Sequence, residues 1–179
     1  MKLYDWIWLP IAGVIAYVVT RNPSGRSSEK LNVSDAVIDA ATRTLLAETS
    51  FRQSPAEMSS ILQVGINRAK ETGDLVAVFT PPGKPNWNRS RTFLDRWWNA
   101  RDFPQWSEAR AFVVDVFDGK YPNLIGDRKY FLHPAGMPKC QGEQCPRGRQ
   151  CVNTTAGRRC LPSWSSDDVA LVIDEARFS

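Results

Sequence analysis

The chain has 179 residues, 42% of them hydrophobic and 23% charged, which is enough apolar content for one domain with a core and excludes a disordered chain. Its net charge is +4, with only Lys2 and Asp5 charged among residues 1–20, so the cationic excess lies beyond that stretch and suits an acidic polymer. No Lys/Arg-rich run interleaved with aromatics occurs, which argues against nucleic acid as the partner.

From Trp6 to Thr20 no residue is charged. With Leu3 and Tyr4 the stretch approaches the roughly 20 residues that a spanning helix needs. Tyr4, Trp6 and Trp8 lie at one end and Tyr17 near the other, where an interfacial aromatic belt belongs. Val18-Val19-Thr20 is a poor small-x-small cleavage site. Residues 1–21 therefore read as an uncleaved transmembrane anchor that meets the membrane through residues 3–20. Arg21, Arg26 and Lys30 follow it, which would hold that side cytoplasmic by the positive-inside rule. Residues 22–30, with Asn22-Pro23-Ser24-Gly25, form a polar linker, and a folded domain spans 31–179.

Ser34 or Asp35 caps a helix expected to run to about Phe51. Val37, Ala41, Thr44, Glu48 and Phe51 share one stripe at 100° per residue, which puts Glu48 on the inward face. A carboxyl in apolar surroundings resists ionising and approaches the range of a general acid; the alternative is a buried ion pair with Arg43 or Arg68. Ser54-Pro55-Ala56-Glu57 is a capping box with proline at the first helical position, so Glu57 reads as a cap. The helix it opens carries Met58, Ile61, Leu62, Gly65 and Ala69 and ends near Gly73, with Asn67-Arg68 near its close. Thr80 to Asn88, rich in proline, reads as a loop that exposes Trp87. Helices follow from about Arg91, containing Trp97-Trp98, and from about Gln105 to Gly119. Gly126 to Pro134 is loop-like and holds Tyr130, Phe131 and the single histidine, His133. Val169 to Ile173 is the clearest strand.

All four cysteines, Cys140, Cys145, Cys151 and Cys160, fall in one insert at 139–161. Their spacing only grazes the knuckles of structural zinc sites, so two disulfides and an oxidising compartment are favoured. Three pairings are compatible with the spacing. Zinc held for partner recognition is the minor alternative. Lys139, Arg147, Arg149, Arg158 and Arg159 stand there against the single acid Glu143, a composition able to grip an anionic wall polymer.

Several segments, in order, resemble the SleB-like cell-wall hydrolases. Leu46-Ala47-Glu48-Thr49 and Gln63-Val64-Gly65-Ile66-Asn67-Arg68 are similar to that family's "GEA … V-x-N-R" signature. Val78 to Trp87 looks like its loop before the next helix, and Ala109 to Gly119 with Tyr121-Pro122-Asn123 like its "A … G-x-x-P" helix end. Gly126 with Tyr130-Phe131-Leu132-His133-Pro134 resembles "G-A-T-H-F-Y-N-P". Leu161-Pro162-Ser163-Trp164 and Ile173 to Phe178 resemble the closing "P-x-W … I-G-x-H-x-F".

The resemblance covers residues 37–179 and implies a mainly helical α+β, lysozyme-like domain. It further implies cleavage of the MurNAc–GlcNAc bond of peptidoglycan without cofactor or metal, usually as a lytic transglycosylase. Glu48 takes the position of the catalytic acid, and Asn67, Trp87, Tyr130, Phe131 and His133 become expected substrate contacts. A lone Glu favours transglycosylation over two-carboxylate hydrolysis, with Asp95, Asp115 and Asp127 as alternative second carboxylates. The sequence departs from the pattern in the 130–133 segment, where Tyr130, Leu132 and His133 replace the family's His, Tyr and Asn. Such an activity places the domain on the extracytoplasmic side of the membrane. The architecture would suit a bacteriophage lysis or wall-penetration protein, with virion or envelope partners, or a bacterial enzyme. The competing expectation is a non-catalytic wall-binding or structural membrane protein of the same fold.

Overall fold

The computed structural model describes residues 30–49, 51–81, 91–165, 171–174 and 176–178. The expected anchor at 1–21, the linker through residue 29 and the loop around Trp87 lie outside the described residues. Among those described, no helix is long and apolar enough to cross a membrane.

Mixed helix and sheet build the domain. Among the described residues, five α-helices come first: α1 (Asp35–Thr49), α2 (Pro55–Thr72), α3 (Leu75–Phe79), α4 (Arg91–Trp98) and α5 (Trp106–Phe117). Strands β1 (Phe131–Leu132), β2 (Arg149–Thr154), β3 (Gly157–Pro162), β4 (Leu171–Ile173) and β5 (Ala176–Phe178) follow. Helix α1 stops at Thr49, short of the expected Phe51. Phe51 turns left-handed at φ 55°, and its N–H donates to the Thr49 hydroxyl at 3.0 Å.

Helix α2 begins and ends where its sequence signals place it. The Ser54 hydroxyl accepts from the Glu57 N–H, Pro55 occupies the first turn, and Gly73 closes the helix at φ 72° with its N–H on the Ala69 carbonyl. Such an αL cap satisfies a terminal carbonyl at no steric cost to glycine. Asp74 then caps the short α3, accepting from the Ala77 N–H at 2.9 Å. Helix α3 was not expected. Its Phe79 closes onto Gly65 of α2, where an added Cβ would fall 2.3 Å from the ring.

The sequence pattern suggests one apolar stripe on α2; the structure has two faces. Met58, Leu62 and Ile66 join Leu45, Phe79, Trp97, Val113 and Phe117 in the main core. Ile61 and Val64 pack with Ile125, Ala176 and Phe178 in a second cluster, against Phe131, Leu171 and Ile173. Helix α2 is therefore a wall shared by the helical body and the sheet.

That sheet has the order β1-β5-β4, antiparallel throughout, with Phe131↔Phe178 and Ile173↔Ala176 in register. The expected terminal strand, Val169 to Ile173, is present as β4 over its described residues Leu171–Ile173. The central strand, β5, was not anticipated, and Ala176, Arg177 and Phe178 are all buried. The Ser54 hydroxyl contacts the Asp174 carboxylate, joining the cap of α2 to the turn between β4 and β5.

Strands β2 and β3 form a separate antiparallel hairpin in the cysteine-rich insert, with Cys151 opposite Cys160. Two disulfides form, Cys140–Cys151 and Cys145–Cys160. Both bind the 140–145 turn to one side of the hairpin, because Cys151 and Cys160 share a strand face. No cysteine remains free. The close group of Cys140, Cys145 and Cys160 sulfurs follows from the disulfides and leaves no thiolate for zinc.

Candidate functional site

Glu48 occupies the last turn of α1, one turn beyond Thr44. The Thr44 hydroxyl donates to the Phe79 carbonyl at 2.6 Å and accepts from the Trp97 indole N–H at 3.1 Å. This buried polar knot fixes α1 against α3 and α4, and so sets the direction of the helix end that carries Glu48. The sequence leaves Glu48 either apolar surroundings or an ion pair with Arg43 or Arg68; the structure brings a further cation, Arg96, to it. Glu48 is half-buried, and the Arg96 guanidinium of α4 lies within its electrostatic reach. Burial lowers the pKa of Arg96, the negative charge of Glu48 opposes that, and Arg52 adds to the lowering. Arg96 is also held by the Leu46 carbonyl, to which it donates at 2.5 Å. A neighbouring cation favours the charged form of a carboxylate, so the arrangement offers a bound molecule a solvent-accessible acceptor of hydrogen bonds or of a proton.

The second group of expected site residues sits on the opposite side of α2. Residues 123–134 run antiparallel to that helix and are clamped at both ends. At one end the Asn67 amide donates to the Gly126 and Arg128 carbonyls at 2.7 and 2.8 Å and accepts from the Gln63 amide at 3.1 Å. Arg68 donates to the Lys129 carbonyl at 2.6 Å. At the other end His133 Nε2 lies 3.1 Å from Glu57 Oε1, with the Glu57 side chain only 2% exposed. Between the clamps, Phe131 stacks on Phe178 at 6.1 Å.

The expected substrate contacts differ in how far they are open to a ligand. Asn67 is 1% exposed, with its amide engaged by the loop carbonyls. Phe131 serves the second core cluster, and His133 faces a buried carboxylate. Tyr130 alone of this group is open, at 55% exposure, with the Arg68 guanidinium 5.2 Å from its ring centroid. Trp87 lies outside the described residues. Among the alternative carboxylates, Asp115 pairs with Lys120 at 2.5 Å, while Asp95 and Asp127 are exposed.

Sequence reasoning missed the Glu57–His133 contact and the buried Arg177, whose guanidinium donates to the Ser165 carbonyl at 3.0 Å. Glu57 was read as a cap only. Its place on the same helical face as Ile61 and Val64 was the available signal that its side chain points at the sheet. Comparison with protein families, curated proteins and solved structures returned no match to this chain.

Proposed function

We propose that the protein cleaves the glycan strands of peptidoglycan at the MurNAc–GlcNAc bond, as a lytic transglycosylase of lysozyme-like build, with Glu48 as acid and then base. The observation that carries this reading is the placement of Glu48: a half-buried carboxylate at a helix end, braced by the Thr44–Phe79–Trp97 knot and facing Arg96. The ordered resemblance to SleB-like hydrolases supplies the substrate class. In this scheme Glu48 protonates the leaving glycosidic oxygen, then accepts the proton of the sugar's own 6-hydroxyl as it closes an anhydro ring. The disulfides support an oxidising, extracytoplasmic setting, as a wall-degrading domain tethered by residues 1–21 would require.

A non-catalytic wall-binding role is the rival, favoured by the internal engagement of Asn67 and His133. Glu48→Gln separates the two. Release of soluble fragments from purified sacculi should fall by about two orders of magnitude or more, the usual scale for loss of a general acid/base. Mass spectrometry of the wild-type products should show anhydro ends. Undiminished release by Glu48→Gln removes Glu48 as the acid, and no release by the wild-type chain favours the rival.

A further inference from the structure

The cysteine-rich hairpin separates its five cations into different kinds. Arg159 is engaged within the lobe, donating to the Ala156 carbonyl at 3.1 Å and the Met137 carbonyl at 3.3 Å. Lys139 pairs in register with Arg159, so both belong to one face of the ladder. The other face carries Arg149 and Arg158, because Arg149 is opposite Pro162 and Arg158 is opposite Asn153, and residues of one parity point the same way. This is also the face of Cys151 and Cys160, so the two arginines flank the turn that the disulfides bind there. Arg147 lies in the turn leading into β2. All three arginines are exposed.

The lobe's single acid, Glu143, rises from that bound turn and pairs with Arg158 at 2.5 Å, with side-chain exposures of 84% and 47%. An ion pair this exposed is worth about 1 kcal/mol or less, so an incoming anion can replace it. Four residues of strand separate the Arg149 and Arg158 rows, about 13 Å at the backbone. One small anion cannot bridge that span, and a single exposed contact is weak, so useful affinity requires a ligand with repeated anions.

We propose that Arg149 and Arg158, with Arg147 in the adjoining turn, form a carboxylate-binding surface that holds the stem-peptide carboxylates of peptidoglycan, with Glu143 as a built-in competitor. The proposal rests on the peptidoglycan reading and names the part of the polymer that this lobe grips. Guanidinium groups suit it, since each offers a planar fork matched to a carboxylate. The lobe thereby keeps the enzyme on the wall polymer between cleavage events.

The test uses the full-length chain carrying Glu48→Gln, so that sacculi are not degraded, and measures cosedimentation with sacculi free of phosphodiester polymers. Combined Arg147→Ala, Arg149→Ala and Arg158→Ala should weaken binding about tenfold or more. Glu143→Gln should strengthen it, and Lys139→Ala, on the opposite face, should change it by less than about twofold. Carbodiimide amidation of the sacculus carboxylates should erase the difference between the parent and the triple variant. Disulfide content measured by mass confirms that each variant keeps its lobe. Undiminished binding by the triple variant, an equal loss in Lys139→Ala, or an unchanged difference on amidated sacculi overturns the proposal. So does preferential binding to duplex DNA, or a loss of binding to anionic phospholipid vesicles in the triple variant that exceeds its loss on sacculi, since the proposed anchor would hold parent and variant on vesicles alike. If the wild-type chain releases no fragments while binding follows the expected pattern, the cleavage reading falls and the carboxylate face stands.

Discussion

In the helical body, Leu45, Leu62, Trp97, Val113 and Phe117 come from four helices and meet in one core. In the lobe from Lys139 to Pro162, only Cys160 and Leu161 are buried, and the turn is held to the hairpin by two covalent bonds. A body stabilised by apolar burial must commit its side chains inward. A segment too small for a core of its own is held by cross-links, and almost every side chain stays available at the surface. That difference explains why the cations gather on the lobe.

The comparison breaks most visibly if the two regions lose order together. Reducing both disulfides, which close segments separated by 11 and 15 residues, should remove about 3 kcal/mol of loop-closure stabilisation each. Hydrogen exchange should then accelerate across 139–162 while α1, α2 and α5 stay protected; loss of protection in the helices would show that the body depends on the lobe. Leu62→Ala is the converse perturbation. It should cost about 2–5 kcal/mol, read as a lower denaturant midpoint for the helices with both disulfides intact. Gly65→Ala should cost about 1–3 kcal/mol by overpacking, because the Phe79 ring that would have to move is 3% exposed. A neutral Gly65→Ala would mean that α3 yields easily.

The smallest effect is a pH dependence confined to the body. Burial alone would raise the pKa of Asp39, but hydrogen bonds from Arg43 and Arg101 outweigh it and hold the carboxyl below its ordinary value of 3.8. A depressed folded value contributes stability above the ordinary value, lost as pH falls through the lower folded one. Asp39→Asn should therefore flatten the acid limb of a stability–pH curve below about pH 4 and leave the order of the lobe unchanged. An unaltered acid limb would remove Asp39 as its source.

Local features were legible in the sequence wherever a few adjacent residues decide them. The bounds of α2 followed from Ser54-Pro55 and Gly73, and the α+β class from the helical periodicities and one apolar strand. Helix α3 escaped because five residues give no periodicity, although Asp74 directly after a helix-ending glycine was a usable cap signal. Strand β5 escaped for a different reason: its three residues give no period of their own and become a central strand by pairing with β4 beside them and with β1, 45 or more positions earlier in the chain. The disulfide pairing depended on the hairpin register, which spacing does not encode. Glu48 was legible as a residue of the inward stripe, whereas its proximity to Arg96 was not, because the two helices carrying them meet only in the tertiary fold. The role of Asn67 was hidden likewise, since its acceptor carbonyls lie 59 and 61 positions away.

At the base of the lobe, two residues before its end, the Cys160 N–H donates to the Pro138 carbonyl at 2.8 Å. Seen from the body, the insert up to Cys160 therefore spans about the gap of one hydrogen bond. Its length and sequence can drift with little consequence for the packing that aims Glu48, because lengthening a loop with fixed ends adds only a slowly growing entropic cost. The fold thus provides a socket in which surface chemistry can be exchanged by insertion, deletion or grafting while the scaffold beneath is inherited unchanged.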